Sequence, residues 1–521
     1  MTMGAGSGGD VKGDQQNVTS IAGSEPGLRA TLALAAAFVA IWTAYFTITN
    51  APMAIHHDMA EAYVWGREFQ LGYNQHPPFW AWVCGVWFSV LPRTSWAFAL
   101  LSCLNAGIGL IGAWMLLGNF VTGHRRIAAT ALLLLTPFYT FLSYRYNANS
   151  IFLSIWPWTL YFFVRSIERR GIGDALLFGV CIGLGLMSKY YALILGASCF
   201  LAALQHPARA SYFASVRPYI SAIVAAAICA PHIWWLLSSG APPVRYLAQI
   251  SGRDFGSTAR YAAIALFGAV AQNAVVFAVV AFVGRTGPRD WIASLRQLWR
   301  EPKFRLLTTL ALAPLALTIV AAIVLRTKIS TNMTIGVFSL VPLLAIEIAG
   351  VRDDARLSHI ATRLAAALTL ISLALSPAIA LVKASLTTDG AAIQPRQELA
   401  DAATRLWREK TSRPLSYVAG SFAYDNAVAF YSADRPHSFE RFDFFRNRWV
   451  TPADIAEFGL LAVCVRDDAE CLASTARFGT PQSTRTEMSL AHAFLGHVGA
   501  PVRFVVTVIP PRDPSDLKPT R

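Results

Sequence analysis

Eleven apolar stretches dominate this chain, at residues 28–48, 96–118, 127–143, 150–164, 174–188, 190–204, 219–237, 260–283, 306–325, 332–349 and 360–382. A helix needs ~20 such residues to cross a ~30 Å hydrocarbon core, and helices satisfy their own backbone hydrogen bonds there. The pattern predicts an all-α polytopic membrane domain of about eleven transmembrane helices, the shorter runs extending into semi-polar flanks. Composition agrees, because 55% hydrophobic and 14% charged residues leave too little polar surface for a water-soluble globule of 521 residues. The run at 28–48 is long enough to span and is followed at once by charge. It reads as a retained first helix behind a disordered polar cytoplasmic lead, residues 1–27.

The formal charge of +14 lies in short Lys and Arg clusters between apolar runs, where orientation in a bilayer accounts for it without nucleic acid. The thirteen-residue piece FWAWVCGVWFSVL, 79–91, decides that orientation. If it stays on the outer surface, the loops 124–126, 165–171, 205–218, 284–305 and 350–363 face the cytoplasm with sixteen Lys and Arg, against eight on the opposite side. Counting it as a span reverses the bias, against the positive-inside rule. It is expected to be an interfacial or re-entrant helix, with Phe79, Trp80, Trp82 and Trp87 at the headgroup boundary. Residues 49–95 then face outward, as does everything after about residue 383.

From 384 the composition changes. LSYVAGS, AVAFYSA, LLAVCVRD and VRFVVTVI read as short strands, and the segment 384–521 is expected to be a small periplasmic α/β domain. Five of seven cysteines lie in apolar segments as small buried hydrophobes. Cys464 and Cys471 share a polar segment and suit a disulfide only if that segment is in an oxidising compartment.

The chemistry-bearing residues gather in the outer loops. In HHDMAEAYVWGREFQLGYNQHPPFWAW, 56–82, Asp58 and Glu61 stand three apart and share a helical face, near Trp65 and Glu68. Such a pair suits a general base with its partner, a metal site or a solvated face. YRYNANS offers Arg145, Asn147 and Asn149, MSKYY places Lys189 in a very short turn, APHIWW holds His232, and the later loops add Arg245, Arg253, Arg260, Arg326, Lys328 and Asn332. Snorkelling explains most of these singly. Lys189 stands apart: a charge with apolar neighbours on both sides costs ~2.5–3.5 kcal/mol unless paired. No Gly-rich phosphate loop, HExxH or CxxC pair is present.

Asp58, then Gly72-Tyr73, then His76-Pro77-Pro78, then an aromatic-rich helix resembles the first periplasmic loop of the GT-C glycosyltransferases, specifically glycosyltransferase family 39. That family includes protein O-mannosyltransferases, lipid A aminoarabinose transferases and rhizobial galacturonosyltransferases. The likeness extends to YNANS before Trp156-Pro157, and to Lys189 after Gly183 and Gly185. It departs at Met59, where the family pattern has Glu, and Glu61 one helical turn on from Asp58 is the residue expected to take over that polar role. The resemblance implies a GT-C domain over 28–383, with the catalytic loop at 49–95. Asp58 would be the base, with Lys189, His76 and Arg145 on the donor phosphate, and Tyr63, Tyr73, Asn147, His232, Arg245 and Arg326 lining substrate.

The implied function is transfer of a hexose or pentose from a polyprenyl-phosphate donor to an envelope acceptor (lipid A or lipopolysaccharide, another glycolipid, or a protein), with inversion, at the periplasmic face of a bacterial inner membrane. No cofactor is required by the pattern, although Asp58 and Glu61 leave room for a divalent metal without a defined ligand set. Expected partners are the lipid donor, the lipid or glycan acceptor and membrane lipids. Two other classes compete. A secondary transporter or glycan or lipid translocation protein would carry its ionisable residues near the bilayer midplane, whereas here they cluster at outer ends. A sensor or assembly protein leaves the 58–78 loop unexplained.

Overall fold

A computed structural model describes residues 26–385 and 394–512 of the chain. Most of the N-terminal lead and the junction 386–393 lie outside the described residues. Among the described residues, five helices are long and apolar enough to cross a membrane: Leu28–Thr49, Ser95–Leu117, Arg217–Ser238, Pro302–Leu325 and Asp354–Ser385. The pair Phe255–Gln272 and Ala274–Gly284, bent by 50°, makes a sixth if taken as one span. The remaining apolar runs form shorter helices, among them Phe152–Glu168, Ile172–Leu186 and Ala192–Gln205. Large apolar side chains such as Ile223, Leu237, Phe267 and Val324 are exposed on these helices, which is the surface a multi-pass protein offers to lipid. The run 127–143 departs from expectation: its helix, Gly123–Leu133, ends early and turns follow. Pro137 lacks the N–H that continuing the helix requires.

The loop 49–95, expected to face outward, folds around two helices, His57–Glu68 and Phe79–Val90. They pack backbone to backbone. A Cβ on Gly66 would sit 2.2 Å from the Ala81 carbonyl oxygen, and one on Gly85 would sit 2.2 Å from that of Gly66. Phe79–Val90 buries Trp80, Ala81, Cys84 and Phe88 and exposes Val86 and Val90, the one-sided pattern of a helix lying on a bundle.

The C-terminal region carries a five-stranded mixed sheet. Its strands come from β1 (Tyr417–Gly420), β2 (His437–Ser438), β3 (Leu460–Val465), β4 (Thr484–Leu490), and, after the small ribbon of β5 (Ala493–Phe494) and β6 (His497–Val498), β7 (Val502–Ile509). The order is β2-β1-β3-β7-β4. β1 pairs parallel with β2 and β3, and β7 runs antiparallel between β3 and β4, with Leu461 opposite Val508. Cys464 on β3 is disulfide-bonded to Cys471 on the helix Ala469–Ala476.

Two sequence expectations fail here. AVAFYSA lies largely in a helix, Tyr424–Tyr431, buried on nearly all sides. A short fully buried segment has no polar face, so its helical period is invisible. TRTEMSL is a strand the reading missed: β4 is an edge strand with polar residues along its length, and it lacks the apolar run that marks β3 and β7.

The C-terminal region clamps the outer loop. Arg396 donates to the Ile55 carbonyl at 2.6 Å, the Ile55 N–H donates to the Tyr431 hydroxyl at 2.9 Å, and Glu68 pairs with His437 at 2.7 Å. Trp65 Nε1 donates to Glu440 at 3.2 Å.

Candidate active site

Asp58 occupies the first turn of His57–Glu68, where the positive end of the helix dipole favours a carboxylate. His56 caps the helix, its Nδ1 accepting the Asp58 N–H at 3.2 Å. His57 Nε2 lies 3.1 Å from Asp58 Oδ1, and Asn147 Nδ2 donates to Oδ2 at 2.9 Å. Burial pushes this carboxyl up, but the His57 hydrogen bond, the charges of His56 and His57 and the Asn147 amide outweigh it and hold it at about 2. A third of the Asp58 side chain remains exposed. It is an ionised acceptor open to a ligand.

The turn after Tyr146 ties this carboxylate to a buried amine. Asn147 Oδ1 accepts the N–H groups of Asn149 and Ser150 at 2.8 and 3.0 Å, which locks its amide toward Asp58. Asn149 Oδ1 accepts from Lys189 Nζ at 2.5 Å. Lys189 sits in the turn between Ile172–Leu186 and Ala192–Gln205. Burial lowers its amine to about 8, against the opposing pull of Asp58. His76 lies beside it: burial and the Lys189 charge lower its imidazole to about 3, so it is neutral. The Phe79 N–H donates to the Met187 carbonyl at 2.8 Å, joining the His-Pro-Pro end of the loop to the lysine turn.

Glu61 lies one turn beyond Asp58 but faces the C-terminal region. Burial, then Glu440, Asp58 and Asp425, push its carboxyl well above the usual range, with Arg446 opposing. Glu61 is not part of a metal-ligand cluster with Asp58. Among the described residues, the His, Cys, Asp and Glu donors that converge are His56, His57 and Asp58, whose atoms lie within 4.8 Å of one another.

The residues expected to line substrate separate into different tasks. Asn147 orients Asp58. Tyr63 is buried edge-on against Phe88 and Phe430. Tyr73 is stacked on Trp65 at 4.8 Å, and its hydroxyl donates to the Trp65 carbonyl. His232 is fully engaged: Nδ1 meets the Leu71 carbonyl at 2.7 Å and Nε2 the Tyr190 hydroxyl at 2.8 Å. In this structure these three side chains make packing and bracing contacts. Arg245 stands 5.1 Å from the centre of the Phe445 ring, and Arg326 is exposed at the end of Pro302–Leu325. Neither has a described contact with Asp58 or Lys189. Arg145 is exposed and acts on His56 through its charge. The reading missed His56, His57, Arg396, Asp425 and Glu440. The first two were legible as neighbours of Asp58; the others lie hundreds of residues away and only folding brings them in.

Residues 75–235 match the family described as dolichyl-phosphate-mannose-protein mannosyltransferase. That span holds His76, Asn147, Asn149, Lys189 and His232. Two curated proteins of Rhizobium johnstonii are similar to the chain. Lipid A galacturonosyltransferase RgtD is 27% identical over 198 residues, covering 37% of this chain and 41% of that protein. Lipopolysaccharide core galacturonosyltransferase RgtB is 29% identical over 206 residues, covering 38% and 41%. The chain thus spans about two fifths of the length of each curated relative. Among solved structures, ArnT from Cupriavidus metallidurans in the apo state superposes with a TM-score of 0.59 at 13% identity, covering 91% of this chain and 97% of that one. The same protein bound to undecaprenyl phosphate gives 0.56 at 13% identity, covering 92% and 98%. The chain thus shares the fold of the ArnT structures nearly end to end, and its residues 75–235 resemble a mannosyltransferase-type segment.

Proposed function

We propose that this protein is an integral membrane glycosyltransferase that moves a sugar from a polyprenyl-phosphate donor to an envelope acceptor. One observation carries the reading: a single turn, Asn147 to Asn149, holds the Asp58 carboxylate at one end and the Lys189 amine at the other. That is the pairing of a base with a phosphate-binding cation that an inverting displacement at a lipid phosphate needs. The names of the similar proteins, two galacturonosyltransferases and a structure bound to undecaprenyl phosphate, support it.

In this mechanism Asp58 accepts the proton of the acceptor hydroxyl as its oxygen attacks the anomeric carbon. The bond to the lipid phosphate breaks with inversion, and the phosphate leaves with both electrons of that bond. The leaving group is already a stable anion, so it needs charge stabilisation more than a proton. Lys189 supplies that charge, with Arg145 at the exposed rim, and neutral His76 offers a hydrogen bond. Asp58 acts alone as base, with no second carboxylate placed as a nucleophile among the described residues, which sets this chemistry apart from that of a retaining glycosidase. The reaction is assigned to the periplasmic face of a bacterial inner membrane, with 28–383 as the transferase domain and 384–521 as a periplasmic domain.

The test is mass spectrometry of envelope glycolipids from cells carrying the intact protein, no protein or Asp58→Asn. A single sugar-sized increment lost in the last two alike supports both transfer and base. An increment lost in the null but kept by Asp58→Asn removes Asp58 from the mechanism. Lipids identical in all three remove lipid acceptors from the proposal and turn the search to protein acceptors and transport.

A further inference from the structure

Four helices, Leu28–Thr49, Ser95–Leu117, Gly123–Leu133 and Asp354–Ser385, pack on one another in a ring. Toward one end they surround a cavity of about 400 Å³, and none of its lining residues is charged. Alanines such as Ala35, Ala131 and Ala366 form much of the wall, and side chains that short do not fill the space between four helices. Leu34 and Leu370 also line it while remaining 65% and 59% exposed. The cavity therefore opens sideways, onto the apolar surface that lipid covers.

This is the end of the ring away from Asp58. Lys383 Nζ donates to Asn50 Oδ1 at 2.9 Å, and Trp87 Nε1 to the Ala97 carbonyl at 2.9 Å, which marks the ends nearest the loop 49–95. The lining residues lie far from those ends. Thr362 precedes Lys383 on the helix Asp354–Ser385 by about 30 Å at ~1.5 Å per residue.

The mouth is basic. Arg29, just before the lining Thr31, and Arg363, directly after the lining Thr362, are exposed. Neither has a carboxylate partner among the described residues. Arg126, beside the lining Ile127, stands over the Trp114 ring at 3.8 Å. The acids at this end are already answered: Arg125 holds Glu347 at 3.0 Å and Asp354 at 2.8 Å, and Asp353 is flanked in sequence by Arg352 and Arg356. An apolar slot with arginines at its opening is the complement of an acyl chain that ends in a phosphate.

We propose that this cavity binds one acyl chain of an anionic glycerophospholipid, with the headgroup phosphate at Arg29 and Arg363. A headgroup of net negative charge is favoured there, because a zwitterionic one brings its own ammonium to the arginines. On the orientation that the Lys and Arg bias implies, the mouth faces the cytoplasmic leaflet. The occupant is then neither donor nor acceptor, and the site stands apart from the chemistry at Asp58. Its effect is to tie Leu28–Thr49 to Asp354–Ser385, the two helices whose opposite ends meet at Asn50 and Lys383.

The experiment is thermal unfolding of the full-length protein, delipidated in detergent, with four probes: dioleoyl phosphatidylglycerol, dioleoyl phosphatidylcholine, glycerol 3-phosphate and undecaprenyl phosphate. Phosphatidylglycerol is expected to raise Tm in a saturable way, phosphatidylcholine less and glycerol 3-phosphate not at all, and undecaprenyl phosphate is expected not to displace phosphatidylglycerol. Arg29→Gln with Arg363→Gln should weaken the apparent phosphatidylglycerol affinity roughly tenfold or more. Arg352→Gln with Arg356→Gln removes the same charge from the same end and should leave that affinity unchanged. Ala366→Phe fills the cavity and should abolish the shift without lowering the Tm of the lipid-free protein. An equal shift with phosphatidylcholine or glycerol 3-phosphate, no shift with any lipid, or an equal loss in the two arginine pairs overturns the proposal. Displacement by undecaprenyl phosphate overturns it too, by giving the cavity to the donor lipid. If Ala366→Phe fails to fold, the arginine pairs and the probe comparison on the native chain still decide. No turnover is read, so this result and that for Asp58 are independent.

Discussion

Asn147 donates from Nδ2 to Asp58 Oδ2 at 2.9 Å across 89 residues of sequence. Two backbone N–H groups hold the other end of the amide, so Asn147 cannot turn away without losing three hydrogen bonds. Replacing it with Leu, similar in size but without the amide, removes a donor to the ionised form of Asp58. The carboxyl should rise from about 2 toward its ordinary value. A base must be deprotonated, so the acid limb of the pH profile of kcat moves to higher pH, and kcat at neutral pH falls ~10–100-fold through lost orientation. The same depression makes Asp58 contribute stability above its unfolded value of ~3.9, lost as pH falls through about 2. Acid unfolding of Asn147→Leu should therefore begin at higher pH. An unchanged acid limb would place the base elsewhere.

Lys189 should act in its protonated form. Burial lowers the amine to about 8, so kcat/KM for the donor, which reports the free enzyme, should decline as pH rises past ~8. Lys189→Met should reduce kcat by ~10²–10³, the usual cost of removing one charge-stabilising donor. Lys189→Arg keeps the charge but moves it, because a guanidinium does not fit the 2.5 Å contact to Asn149 as an ammonium does. Partial recovery in Lys189→Arg, together with loss of the basic limb near pH 8, is the expected kinetic result. Full activity of Lys189→Met would remove the lysine from the mechanism.

His232 offers a contrast between bracing and binding. Its two ring nitrogens join Leu71 to Tyr190, and Trp235 fills the space where a Cβ on Gly72 would sit, at 2.3 Å. His232→Phe leaves a buried carbonyl without its donor, a cost of ~1–3 kcal/mol. For a chain of this size, with an unfolding entropy of ~2.1 cal/mol/K per residue, a melting shift of about 1 °C per kcal/mol follows. The KM for either substrate should change little. A large KM change with an unaltered Tm would return His232 to the substrate.

The disulfide between Cys464 and Cys471 closes a short loop, seven residues apart, on the C-terminal sheet. The loop-entropy relation gives ~2–3 kcal/mol for a loop of that length. Cys464→Ser with Cys471→Ser should destabilise the C-terminal region by about that amount, seen as earlier proteolysis there and a lower unfolding midpoint. Alkylation without reduction should leave both sulfurs unlabelled in the native chain.

Much of the membrane architecture was legible because burial in lipid demands long apolar helices, and Leu28–Thr49 or Pro302–Leu325 announce themselves by length alone. Where helices are short or bent, as at Phe255–Gln272 and Ala274–Gly284, the apolar run gives length but not the break. The 58–78 motif was legible too. Lys189 stood out because a charge against apolar neighbours requires a reason, whereas the roles of Asp58 and His76 came from the resemblance.

The sequence by itself determined a helical chain with long apolar segments and its ionisable groups between them, since hydropathy and charge are properties of local composition. It did not determine which groups touch. Asn147 meets Asp58, Tyr73 stacks on Trp65, His232 joins Leu71 to Tyr190, and Glu61 lies toward Asp425 and Glu440, more than 360 residues later. Those outcomes belong to tertiary structure because a hydrogen bond or a buried charge cluster depends on distances of a few ångströms between segments whose separation along the chain carries no information about their separation in space.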